Sequence, residues 1–121
     1  MATAERGLLE LSSLPNKAKG LRFALVVSSW NPEITNALSD GAVRVLEQLH
    51  ADRIDRFDVP GSFELIRGCK VHAESLEYDA VIAIGSVVRG ETPHFEYVCQ
   101  GVTYGIAHLN ATGKTPVIFC L

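Results

Sequence analysis

The apolar run Ala80-Val81-Ile82-Ala83-Ile84 leads directly into Gly85-Ser86-Val87-Val88-Arg89-Gly90-Glu91-Thr92-Pro93-His94-Phe95, and this segment constrains the fold more than any other. Five consecutive apolar residues bounded by turn formers read as a strand buried on both faces. Phe95, Val98, Cys99, Val102, Ile106 and Leu109 then recur at helical spacing along one face. The segment is a buried strand turning into a helix, and in an open α/β sheet ligands bind at such turns. Gly90 allows close backbone approach, and Thr92-Pro93 predicts a cap followed by proline at the first helical position. His94 falls in the first turn, beside free backbone N–H groups suited to an anion.

The rest of the chain repeats this alternation. Leu21 to Ser28 reads as a buried strand, and Asn31-Pro32 opens a helix with Ile34, Leu38, Ala42, Val45, Leu46 and Leu49 as its expected core stripe. Ile54 to Val59 alternates apolar with charged residues, the pattern of an edge strand. Pro60-Gly61-Ser62 turns into a second helix, with Leu65, Ile66, Cys69 and Ala73 inward. Tyr78 to Ser86 is the third strand, Thr92 to Asn110 the third helix, and Pro116 to Leu121 starts a fourth strand. The order βαβαβαβ predicts an α/β three-layer sandwich with a parallel four-stranded sheet in flavodoxin-like order. Residues 1–20 read as an N-terminal arm and 21–121 as the α/β domain.

A chain of 121 residues is one domain by length. Its net charge of −3, without a basic stripe, argues against a nucleic-acid surface. No apolar run reaches membrane-spanning length, and Leu8-Leu9 is too short for a signal-peptide core, so a cytoplasmic location is expected. Cys69, Cys99 and Cys120 are far apart and read as inert thiols. His50, His72 and His108 read as structural or solvated, and no metal site is expected.

In a parallel sheet all strand-to-helix turns share one rim. Here they are Ser28-Ser29-Trp30-Asn31-Pro32, Val59-Pro60-Gly61-Ser62-Phe63-Glu64, and the segment from Gly85 to His94. Asn31, Ser62 and Thr92 are the expected caps, and three helix N-termini converging there favour negative charge. Trp30 and Phe63 add aromatic faces, so the rim suits a planar heterocycle plus a phosphate.

These three motifs, together with Glu96-Tyr97-Val98-Cys99 and Pro116-Val117-Ile118-Phe119, resemble lumazine synthase. The resemblance covers residues 21–121 in order, and its long third motif is highly specific. It implies riboflavin biosynthesis by a transferase that condenses 5-amino-6-(D-ribitylamino)uracil with 3,4-dihydroxy-2-butanone 4-phosphate. The products would be 6,7-dimethyl-8-ribityllumazine, phosphate and water, with no cofactor and no metal. By position in the motifs, the resemblance implies that Trp30 stacks on the pyrimidine and that Asn31 beside it belongs to the substrate-binding site. Ser62, Phe63 and Glu64 would hold the ribityl chain and amino group, and Ser86, Val87 and Val88 would line the pyrimidine slot. Glu91 and Thr92 would bind the phosphate through backbone N–H groups and the Thr92 hydroxyl, an inward Glu91 carboxylate would repel it, and His94 would move protons. Phe119 would close the pocket of an adjacent subunit, because the family forms pentamers and shells of pentamers. The partners implied are therefore two small-molecule substrates and further copies of the chain, without nucleic acid or membrane.

The family pattern continues beyond the position of Leu121 with a basic residue for the phosphate and a covering helix, so the domain is expected to be C-terminally incomplete. Arg89 and Lys114 are the alternatives for that basic role. The competing function is a catalytically impaired fragment or scaffold subunit whose role is self-assembly. Steady turnover would separate the two. A flavin carrier is disfavoured because the first turn lacks a phosphate-binding hydroxyl and glycine cluster.

Overall fold

The computed structural model describes residues 16–121. Its elements run β1 (Arg22–Ser28), α1 (Pro32–Gln48), β2 (Arg53–Val59), α2 (Leu65–Glu74), β3 (Ala80–Ile84), α3 (His94–Thr112) and β4 (Val117–Cys120). The four strands form one parallel sheet in the order β2-β1-β3-β4, the flavodoxin-like arrangement expected from the alternation. Phe23 lies opposite Ile54 on one side and Ala80 on the other, and Val81 lies opposite Val117. Residues 1–15, most of the expected arm, lie outside the described residues. Residues 16–20 form a turn that buries Ala18 and bridges Lys19 to Ala51.

Strict alternation along the strands divides the core in two. Ala24, Val26, Val81, Ala83 and Val117 face α2 and α3, where Leu65, Cys69, Val102 and Ile106 are buried. Leu25, Val27 and Ile84 face the opposite way and pack with Leu46 of α1. The two apolar faces give the three layers. Gly101 and Gly105 let α3 approach the second turn and α2: a methyl group at Gly101 would lie 2.8 Å from the Phe63 ring, and one at Gly105 would collide with Ile66 of α2.

The buried face of α1 differs from the expected stripe. Thr35, Ser39 and Leu46 are buried, whereas Ile34, Leu38 and Val45 are exposed. The two sets are one residue apart around the helix, and both have helical spacing. The small side chains face the sheet, and the Thr35 hydroxyl is satisfied by donating to the Asn31 carbonyl four residues back. The apolar stripe is left on the outside.

As expected, β2 is at the sheet edge and carries charge: Arg53 pairs with Asp55 at 2.6 Å and Arg56 with Asp58 at 2.9 Å. Behind it the His72 ring stacks on Phe57 at 3.7 Å, with Tyr78 edge-on to both. The Tyr78 hydroxyl donates to Asp55 at 2.6 Å and holds that carboxyl below the usual carboxylate range. Burial pushes the Tyr78 phenol up to about 12. Burial also pushes His72 down, against the opposing fields of Glu77 and Asp55. Below about pH 6.5 the unfolded chain takes up a proton at this position that the folded chain resists. Stability is therefore expected to fall as pH drops through and below the ordinary histidine range. His72→Phe keeps a ring on Phe57 and removes the titration, so its Tm should decline less than that of the parent between pH 7 and pH 5. Equal declines would show that His72 contributes nothing to the acid sensitivity.

Candidate active site

The strand-to-helix turns of β1, β2 and β3 enclose a cleft of about 650 Å³ at the C-terminal rim of the sheet. Trp30 comes from the first turn, Pro60 to Glu64 from the second, and Ser86, Val87 and Val88 from the third. The first turns of α3 complete the wall with His94, Tyr97 and Val98. Strand exits converge on one rim because parallel strands all end there, so residues up to 68 positions apart in sequence meet around one space.

The cleft has large apolar surfaces open to solvent. Trp30 is 51% exposed, Phe63 55% and Val88 56%. Such surfaces, paired with a few polar groups, suit a planar ring. The polar groups are the Glu64 carboxylate, the His94 imidazole, the Tyr97 phenol and the Ser62 and Ser86 hydroxyls. His94 is the first residue of the 19-residue α3, so its imidazole stands at the positive end of the helix dipole, although the His94 N–H expected to be free donates to Thr92 Oγ1 and those of Glu96 and Tyr97 donate to the Pro93 carbonyl. That arrangement can hold an anion and exchange protons within one turn.

The three expected caps behave differently from simple helix caps. Asn31 is at the N-cap of α1 but makes no side-chain cap bond. Its backbone is left-handed, φ 59° and ψ 58°, a conformation that asparagine tolerates better than most residues. Its Nδ2 donates instead to Ser86 Oγ at 3.3 Å. Ser62 lies before α2, which begins at Leu65, and its Oγ donates to the Ser86 carbonyl at 3.2 Å. The helix of the third motif begins at His94, two residues later than expected, and Thr92 Oγ1 accepts from the His94 backbone N–H at 3.4 Å. Small polar side chains serve caps and cross-loop bonds equally well: Asn31 keeps the expected N-cap position while its amide bonds across the loops, and Ser62 precedes its helix without a side-chain cap bond.

The structure thus brings together Trp30, Ser62, Phe63, Glu64, Ser86, Val87, Val88 and His94 around one cleft. Asn31 reaches this group through Ser86. Glu91, Thr92 and Phe119 are not part of the wall: Glu91 and Thr92 are exposed on the loop before α3, and Phe119 is 47% exposed on β4. Arg89 sits on the same loop with its guanidinium 4.9 Å from the Phe95 ring centroid and 3.9 Å from the Glu96 carboxylate. Tyr97 was missed by the sequence reading, although its place three residues after His94 puts it on the same helix face. Pro60 and Gly61 were passed over as turn formers, and Val98 was assigned to the core stripe alone. No group of three histidine, cysteine, aspartate or glutamate residues that could hold a metal ion occurs among the described residues. No helix there is long and apolar enough to cross a membrane.

Comparison with known proteins agrees with this geometry. The family profile described as 6,7-dimethyl-8-ribityllumazine synthase matches residues 20–121. A protein of that name from Flavobacterium psychrophilum is 48% identical over 125 residues, covering 100% of this chain and 66% of the relative. One from Phocaeicola vulgatus is 51% identical over 125 residues, covering 100% and 74%. One from Bacteroides fragilis is 52% identical over 103 residues, covering 84% and 72%. The chain spans just under two thirds of the length of the first of these.

Proposed function

Because the chain belongs to the 6,7-dimethyl-8-ribityllumazine synthase family, we propose that its strand-exit cleft condenses 5-amino-6-(D-ribitylamino)uracil with 3,4-dihydroxy-2-butanone 4-phosphate. The observation that carries this reading is the meeting of Trp30, Phe63 and Val88 with His94 around one cleft. The pyrimidine stacks on Trp30 and lies along the edge formed by Ser86, Val87 and Val88. Glu64, with the backbone of Ser62 and Phe63, holds the ribityl chain and the amino group. The phosphate sits at the start of α3, on the loop carrying Glu91 and Thr92, where the positive end of the helix dipole favours an anion.

The chemistry consists of imine formation between the ring amine and the ketone with loss of one water, elimination of phosphate, and ring closure by the ribitylamino nitrogen on the remaining carbonyl with loss of a second water. Each step moves a proton, and His94 is the group placed to carry it. Tyr97, on the next turn of the same wall, supports a hydroxyl contact to either substrate. No cofactor or metal has a part in this reading. Catalysis, rather than assembly alone, is the role that the relatives' names support.

In the same reading the working unit is a homo-oligomer, a pentamer or shell of pentamers, located in the cytoplasm. Phe119 of one copy closes the ring pocket of its neighbour. Support comes from Ile34 and Leu38 of α1, which are exposed and leave apolar surface uncovered in the single chain. Neither nucleic acid nor membrane is a partner, in keeping with the net charge of −3. The test is to mix the purified protein with both substrates and follow inorganic phosphate and lumazine absorbance together. Release of phosphate in step with the chromophore, faster than in a protein-free control, is the expected result. A rate equal to that control would overturn the assignment.

A further inference from the structure

Two side-chain hydrogen bonds join the third strand exit to the other two, and both end on Ser86. Asn31 Nδ2 donates to the Ser86 hydroxyl oxygen at 3.3 Å, across 55 positions of sequence. Ser62 Oγ donates to the Ser86 carbonyl at 3.2 Å, across 24 positions. Asn31 is bonded in sequence to Trp30, and Ser62 to Phe63, so each tie is one residue away from an aromatic wall of the cleft. Ser86 itself precedes Val87 and Val88, the third wall.

The surroundings fit a built connection. Ser62 is only 7% exposed, and its hydroxyl occupies space that exists because residue 85 is glycine: a methyl group there would lie 2.8 Å from Ser62 Oγ. Asn31 holds a left-handed backbone, and its side chain makes no cap bond to the helix it precedes. The first exit is further anchored by the Ser29 N–H donating to the Val59 carbonyl at 2.8 Å and the Trp30 N–H donating to Ser28 Oγ at 3.3 Å. The Ser29 to Val59 backbone bond joins the first two exits at their strand ends, and beyond it the Ser86 ties are side-chain links from the third exit to both loops.

We propose that Ser86 is a positioning residue, which through its hydroxyl and its carbonyl fixes Asn31 and Ser62 and so sets the gap between the Trp30 and Phe63 walls. This rests on the ring-binding role proposed above. The side chains of Asn31 and Ser86 act as one unit, and their removal is not additive. A direct contact from each to the ring would instead give independent losses that multiply.

The test uses the purified protein and the fluorescence of Trp30, the single tryptophan of the chain, titrated with 5-amino-6-(D-ribitylamino)uracil alone. Asn31→Gly removes the side chain without straining the left-handed backbone. Ser86→Ala removes the hydroxyl. Each is expected to weaken ring binding about fivefold, as for one lost hydrogen bond, and the double variant is expected to match the worse single one. In turnover, KM for the uracil substrate should rise while KM for the butanone phosphate stays within about twofold. Ser86→Thr, which keeps the hydroxyl, should restore ring binding. A double variant weakened about 25-fold, the product of two independent losses, would overturn the proposal. So would a Ser86→Thr variant no better than Ser86→Ala. If the parent protein turns over and these outcomes appear, only the positioning role falls. If the uracil leaves Trp30 fluorescence of the parent unchanged, the ring-binding assignment falls as well.

Discussion

Replacing His94 with alanine is expected to slow lumazine formation by about 10²–10⁴-fold, the usual worth of a positioned general acid or base. The residue opens α3 and faces the cleft across from the Trp30 and Phe63 walls. His94 is the only imidazole among the residues lining that cleft, since His72 is stacked on Phe57 behind the edge strand. The side chain is exposed and makes no core contact, so truncation should leave the fold and the Tm essentially unchanged. Ring binding should also survive, because the walls that hold the ring are intact. The loss therefore belongs in kcat, with KM for the uracil nearly constant. A His94→Ala protein within about tenfold of the parent rate would place the proton transfers on another group, and Tyr97 would be the next to test.

Replacing Leu65 with alanine is expected to cost about 2–5 kcal/mol of stability, the range for truncating a fully buried leucine. Leu65 is 0% exposed and packs with Ala24, Val26, Cys69, Val102 and Ile106 beneath the cleft. Its backbone N–H donates to the Ser62 carbonyl at 3.1 Å, and its side chain reaches to within 2.9 Å of where a Cβ on Gly85 would be. The truncation thus opens a void directly under two of the three loops. Against a total stability of about 5–15 kcal/mol this is a large share, and the Tm should fall by on the order of 10 °C. Leu65→Met, which roughly conserves volume, should cost less than about 1.5 kcal/mol. A Leu65→Ala loss below about 1 kcal/mol, measured by urea unfolding, would mean that α2 is not seated on the sheet as described.

The parts of the fold that were legible in the sequence are those whose signal is local. Ala80 to Ile84 is apolar without interruption because β3 is covered on both faces, and β2 alternates charge because it is an edge. Burial of Val102 and Ile106 likewise follows from a helical repeat with one apolar face. The repeat failed in α1 because that helix carries two stripes, Ile34-Leu38-Val45 and Thr35-Ser39-Leu46. Periodicity finds a stripe but does not say which surface it meets, and the more apolar one here faces away from the sheet.

The site divides in the same manner. Its walls could be placed because strand exits on a common rim converge by topology. The cross-loop bonds could not, since they join positions such as Asn31 and Ser86 that share no local pattern. Composition marked Asn31 and Ser62 as caps because short polar side chains favour helix ends, and the same property lets them tie loops together. The resemblance to a known family supplied the substrates, which composition and periodicity leave at a planar heterocycle and a phosphate.

Binding of the pyrimidine in the cleft between Trp30, Phe63, Val88 and His94 can be seen in a crystal structure of the protein grown with 5-amino-6-(D-ribitylamino)uracil. The ring is expected to lie on the Trp30 indole, with the ribityl chain toward Glu64 and the 5-amino group on the side of His94. A ring bound elsewhere on the protein, or bound in the cleft with its amino group turned away from His94, would contradict this placement.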